Sequence, residues 1–124
     1  MNITREERGW AGHFICADSC RFKRNTLLTN TDTNDRIVVS TVGAYIPKGK
    51  NKYEQIGCDR YFETMVFKAM FDDPYWDADV TQEISFQSKS ALNVLDKTSD
   101  KLANDMHEAA VQEIMQKMST RINL

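Results

Sequence analysis

The chain is poor in the residues that break or reinforce structure. Its 124 residues include two prolines, five glycines and three cysteines. So few breakers exclude a low-complexity or disordered chain and leave room for long regular elements. The odd number of cysteines (Cys16, Cys20, Cys58) lacks framework spacing, which argues against a secreted disulfide scaffold and fits reduced thiols. No segment approaches the roughly 18 apolar residues of a membrane span, and Met1–Arg8 is charged where a signal peptide would be apolar. The expectation is a cytoplasmic protein with no membrane partner. Charge of either sign is not in excess: 16 basic against 18 acidic residues leave a net charge of -2. Such a balance disfavours nucleic acid as a partner and is too weak for whole-molecule DNA mimicry.

Catalytic signatures are missing too. There is no Gly-rich phosphate loop, no G-x-S-x-G elbow and no H-E-x-x-H helix. The sequence therefore assigns no catalytic residue, no cofactor and no metal, and predicts a protein that is not an enzyme.

What is present is the patterning of an α+β domain of one core spanning 1–124. Trp10, Phe14 and Cys16 alternate along Gly9–Ala17 and predict a first strand there. Phe22, Thr26 and Leu28 oppose Arg21, Lys23 and Asn25 in a second strand, and Arg36–Ile46 is the most β-branched run and predicts a central one. Pro47–Gln55 reads as a loop and Arg60–Phe71 as a long strand. A Pro-containing acidic turn follows, then a fifth strand with Val80, Ile84 and Phe86 on one side. Beyond Ser99, a cap position, Leu102, Met106, Ala110, Ile114 and Met118 recur at helical spacing. Short polar connections favour antiparallel neighbours. The expected architecture is an antiparallel sheet of about five strands, with one long C-terminal amphipathic helix packed on one face.

Two groups of residues invite a chemical reading. His13, Cys16, Cys20 and Cys58 are zinc-binding types, but a strand over 9–17 would send His13 and Cys16 to opposite faces, so buried thiols and a partly exposed histidine are the simpler expectation. His107, between Asp105 and Glu108, reads as a surface histidine. The acidic segment carrying Asp73, Tyr75, Trp76 and Asp77 has the aromatic and charged composition of a protein-binding hot spot, and Arg21, Arg24 and Tyr53 form a second candidate patch.

The strings GWAGHFICADSCRFKRNTLL, DRIVVSTVGAYI, CDRYFETMVF, ADVTQEISF and DMHEAAVQEI span nearly the whole chain. They resemble small proteins encoded in phages and prophages of proteobacteria. The resemblance implies a setting in the host cytoplasm and a host or phage protein as partner, with inhibition of a bacterial defence protein, in the manner of anti-CRISPR proteins, as the function. It supplies no catalytic residue. A zinc- or thiol-dependent protein and a virion assembly protein, the latter a homodimer through an exposed edge strand, are the alternatives the sequence leaves open.

Overall fold

The β-branched run predicted as central becomes a central strand because its residues suit a surface buried on both sides. The computed structural model describes residues 2–120. In chain order they form β1 (Ile3–Arg8), β2 (Cys20–Asn30), β3 (Arg36–Tyr45), β4 (Phe62–Asp72), β5 (Tyr75–Glu83), the short β6 (Ala91–Leu92) and helix α1 (Ser99–Ser119). Strands β1 to β5 lie side by side in sequence order, and β6 pairs with the start of β4. All pairings are antiparallel. The class is the α+β arrangement that the patterning predicts. No helix among the described residues is long and apolar enough to cross a membrane.

Residues 37–44 of β3 are all buried, so the sheet is covered on both faces at its centre. On one face, Leu28, Ile37, Val39 and Val66 pack against Ala110, Val111, Ile114 and Met118 of α1. Further along, Phe22, Phe62 and Leu92 meet Ala103 and Met106. The helical stripe is therefore the expected one with a small rotation. Leu102 is exposed, and the line Ala103, His107, Val111 turns inward beside Met106, Ala110 and Ile114.

Gly43 sits in this layer between Phe22 and Phe62, its partners on β2 and β4. The two rings meet edge to face at 5.9 Å. A Cβ on Gly43 would stand 2.2 Å from Cδ2 of Phe62 and 2.6 Å from the Tyr61 carbonyl oxygen, so only glycine lets the rings close over the strand.

The other face departs from expectation. Residues 9–17 form no strand. They cross the sheet as an irregular segment ending in a 3₁₀ turn, Ala17–Ser19, with Phe14 in the left-handed region at φ 74°. Ala11, Phe14 and Ala17, three residues apart, cover Cys20, Val42 and Tyr45, while Trp10 reaches instead to Tyr75 of the hairpin. The first strand lies earlier, in ITREER, where charges on both sides mask any period-2 signal. Under the segment, Asn25, expected to face solvent, is fully buried.

The acidic stretch is not a loop either. Asp73 and Pro74 make the tight turn, with a cis peptide bond between them, while Tyr75, Trp76 and Asp77 belong to β5 and pair with Asp72, Phe71 and Met70. The far end of this hairpin curls over the face opposite α1. The Arg8 guanidinium of β1 donates to the Trp76 carbonyl, and Arg36 of β3 lies 4.2 Å above the Trp76 ring.

Candidate functional site

Both histidines are buried, and each is the centre of a hydrogen-bonded array. His107, expected at the surface, is wholly enclosed beneath α1, with Nε2 2.7 Å from Thr26 Oγ1 and Nδ1 2.7 Å from Thr41 Oγ1. Thr26 donates to the Glu7 carboxylate at 2.8 Å, and a carboxylate only accepts. Thr26 Oγ1 must therefore accept from His107 Nε2–H. Burial holds the His107 pKa down at about 4, so the ring is neutral near pH 7, Nδ1 accepts from Thr41, and Thr41, 2.6 Å from Thr64, accepts in turn from it.

These hydrogen bonds end in a charge cluster. Arg5 and Arg24 both bind Glu7 and Glu108 at 2.7 to 3.0 Å. Hydrogen bonds from Arg5 and then Arg24 hold the Glu108 pKa at about 2, and burial of Glu7 is outweighed by its bonds from Arg5, Thr26 and Arg24, so its pKa also falls. Glu7, His107 and Glu108 bring ligand atoms within 4.8 Å of one another. A cation there would have to displace two guanidinium groups and reverse the His107 tautomer, so the donor set fits an ion-pair network rather than a metal.

His13 lies on the opposite face. Its Nδ1 is 2.7 Å from Ser40 Oγ and its Nε2 is 3.2 Å from Glu63 Oε1. The Glu63 carboxylate, held below the usual range by His13 and by Arg60, accepts from Nε2–H, while Ser40 Oγ accepts from Gly12 N–H and bonds Nδ1. Serine, histidine and carboxylate are the members of a hydrolytic triad, yet Ser40 has no exposed surface and its hydroxyl is spent on Gly12 and His13. The array pins residues 12 and 13 to β3 and β4.

Beside it lies a groove of about 590 Å³. Residues 11–15 form one wall, Met65 and Phe67 the floor and Val80 of β5 the other wall, with His13 and Glu63 at a polar end. Next to the groove the hairpin presents Met70, Phe71 and Tyr75, with Phe71 54% and Tyr75 57% exposed. Trp76 packs on Phe71 at 5.3 Å, and Trp10 packs on Tyr75 at the same separation. Asp77 accepts from Trp10 Nε1 and lies 3.9 Å from Arg8. Of the four residues marked in this segment, then, Tyr75 and Asp73 face outward while Trp76 and Asp77 brace the hairpin.

The second marked patch divides. Arg21 hydrogen-bonds the Tyr53 hydroxyl and stacks on its ring, and also pairs with Asp100 at 2.6 Å. Arg24 belongs instead to the Glu7 and Glu108 cluster. The cysteines do not converge with His13. Cys58 is exposed, Cys16 is half-buried, and Cys20 is buried with its thiol pKa pushed up to about 11. Ile15, Val80 and Phe71 lay outside the residues marked from sequence. The signal that could have found Ile15 was its placement on the polar side of an otherwise alternating run.

Comparison with family models, with curated proteins and with solved structures finds no match to this chain.

Proposed function

We propose that this chain is a protein-binding module that acts by covering a surface of its partner, the partner being the bacterial defence protein that the resemblance to phage proteins implies. The observation that supports it is the β4–β5 hairpin. Met70, Phe71, Tyr75 and Val80 leave large apolar surface in water on one braced element, which a monomeric protein seldom does away from an interface. The bracing matters as much as the exposure. Trp76 under Arg36 and Trp10 beside Tyr75 fix the aromatic anchors before binding, so little side-chain freedom is lost on contact.

With Phe71 on one side of the hairpin and Tyr75 on the other, its tip suits a partner cleft that buries about 800 Å², the size at which a few aromatic anchors dominate affinity. Asp73 at the turn places charge at the rim. Both histidine arrays are internally saturated and the Ser40 hydroxyl has no approach, which supports a non-catalytic role.

The test is capture of a stoichiometric partner from lysate of a proteobacterium with active defence systems, using the tagged chain. The Phe71→Ser, Tyr75→Ser double variant should lose that partner and its protection of phage while keeping its fold by circular dichroism. Undiminished capture by the folded double variant, or no partner at all, would overturn the reading.

A further inference from the structure

The groove beside His13 has a floor, two walls and a polar end, and the residues that frame it are held in place at a cost. Ile15 is 98% exposed. It follows Phe14, whose φ of 74° is a left-handed conformation that is unfavourable for a bulky residue. The Phe14 ring is seated edge-on against Tyr45 at 5.4 Å, which fixes the kink and with it the outward direction of Ile15. Opposite, Val80 is 63% exposed where β5 and β4 fall out of register. Two β-branched side chains thus stand in water on either side of a floor made by Met65 and Phe67.

The surroundings give the occupant its sign. From residue 69 to residue 88 the chain has five carboxylates, Asp72, Asp73, Asp77, Asp79 and Glu83, and no lysine or arginine. Of these, Asp77 has an arginine within 4 Å, while Asp79 spends its oxygens on Thr81 and Gln82 and keeps its charge. The groove is open, and Glu63 and Met65 also line an adjoining depression of about 240 Å³ that runs on to Glu83 and in which Arg60 is spent on Glu63 at 2.7 Å. A furrow of this kind takes more than one side chain in succession.

We propose that this furrow anchors an extended basic segment of the partner protein, one apolar side chain entering between Ile15 and Val80 while neighbouring Lys or Arg residues face Asp79 and Glu83. The proposal rests on the protein-binding reading above and adds the chemistry of the bound segment. A second copy of this chain offers one such run, Lys48–Lys52, in which Lys48 pairs with its own Asp18, and solution mass separates that occupant from a partner protein.

Short synthetic peptides of equal length test it by titration into the isotope-labelled full chain, read by amide chemical shifts. An alternating Lys–Leu peptide should bind at least about tenfold more tightly than a Glu–Leu or a Lys–Gly peptide, a difference of about 1.4 kcal/mol. Its shifts should gather on Ile15, Val80 and Glu83 and weaken with salt. Ile15→Ser and Val80→Ser should each weaken it several-fold with the rest of the spectrum unmoved. Equal binding of either control peptide, shifts gathered on α1, no saturable binding, or a peptide-independent doubling of solution mass through this face would overturn the proposal. A lysate partner lost on Phe71→Ser but kept by both groove variants would sink this inference and leave the hairpin reading standing.

Discussion

Around His107, beneath α1, every ring nitrogen and hydroxyl has a partner and two carboxylates are matched by two arginines, whereas the opposite face leaves the buried Asn25 amide nitrogen unpaired, keeps Phe14 in a left-handed conformation and holds Ile15 in water. The first region is closed and self-sufficient. A left-handed residue stands on each face, Phe14 here and Ala44 at φ 56° in the helix-side core, so what distinguishes the second is its open groove and unspent apolar surface. Their difference separates what keeps the chain folded from what it offers to others, because imperfections of the second kind are kept where a fold is used rather than where it is secured.

The sharpest way to break this comparison is to damage the closed face. Phe62→Ala removes a fully buried ring from the layer that holds Phe22, Leu92 and Ala103. It should cost about 3–5 kcal/mol in urea unfolding, the usual range for emptying such a site. A loss below about 1 kcal/mol would mean that the helix face is not the stabilising one.

Acid provides the next largest effect. His107 has a folded pKa near 4 against 6.5 for the free side chain, so the folded protein resists its protonation. The stability this confers is complete above pH 6.5 and is lost as pH falls from there to about 4, by on the order of 3 kcal/mol. Below that window the depressed Glu108 takes over, its contribution fading between pH 4.5 and 2. Urea midpoints across this range should fall in two stages, and His107→Leu should flatten the upper stage alone. A midpoint that is level from pH 7 to 4.5 would contradict the buried, neutral His107.

The smallest effect is expected where the molecule is most exposed. Phe71→Ser and Tyr75→Ser should each change stability by no more than about 0.5 kcal/mol, as surface positions do, while partner binding falls by an order of magnitude. Thermal melts of the purified variants check the first half. A stability loss comparable to that of Phe62→Ala would show that the hairpin is structural and would erase the distinction between the faces.

Much of the framework was readable from residue pattern alone. The β-branched run of β3 and the four-residue spacing of Met106, Ala110, Ile114 and Met118 each report local periodicity, and both elements stand where the pattern places them. What escaped was set by distant partners. β1 looks unlike a strand because Arg5 and Glu7 point toward α1, where Glu108 and Arg24 meet them. His107 looked wet beside Asp105 and Glu108, although its place four residues from both Ala103 and Val111 puts it on the buried stripe. Residues 9–17 imitate a strand because their apolar side chains serve different partners, Trp10 the hairpin and Ala11, Phe14 and Ala17 the sheet, and fall into alternation without a common face. The hairpin residues Tyr75 and Asp73 were legible as aromatic and acidic, but the groove was not, since its walls come from segments some 65 positions apart, at Ile15 and Val80.

The ion pair between Arg5 and Glu108 spans 103 positions, and the hydrogen bond from His107 to Thr26 spans 81. β1 is synthesised about a hundred residues ahead of Glu108, which joins Arg5 to Arg24. At about 5–20 residues per second, Arg5 waits on the order of ten seconds for that carboxylate. The sheet therefore cannot be sealed progressively during synthesis. Its outermost strand and its helix must settle together as the closing event, and a nascent chain stalled short of residue 108 should carry a loose, protease-sensitive leading strand.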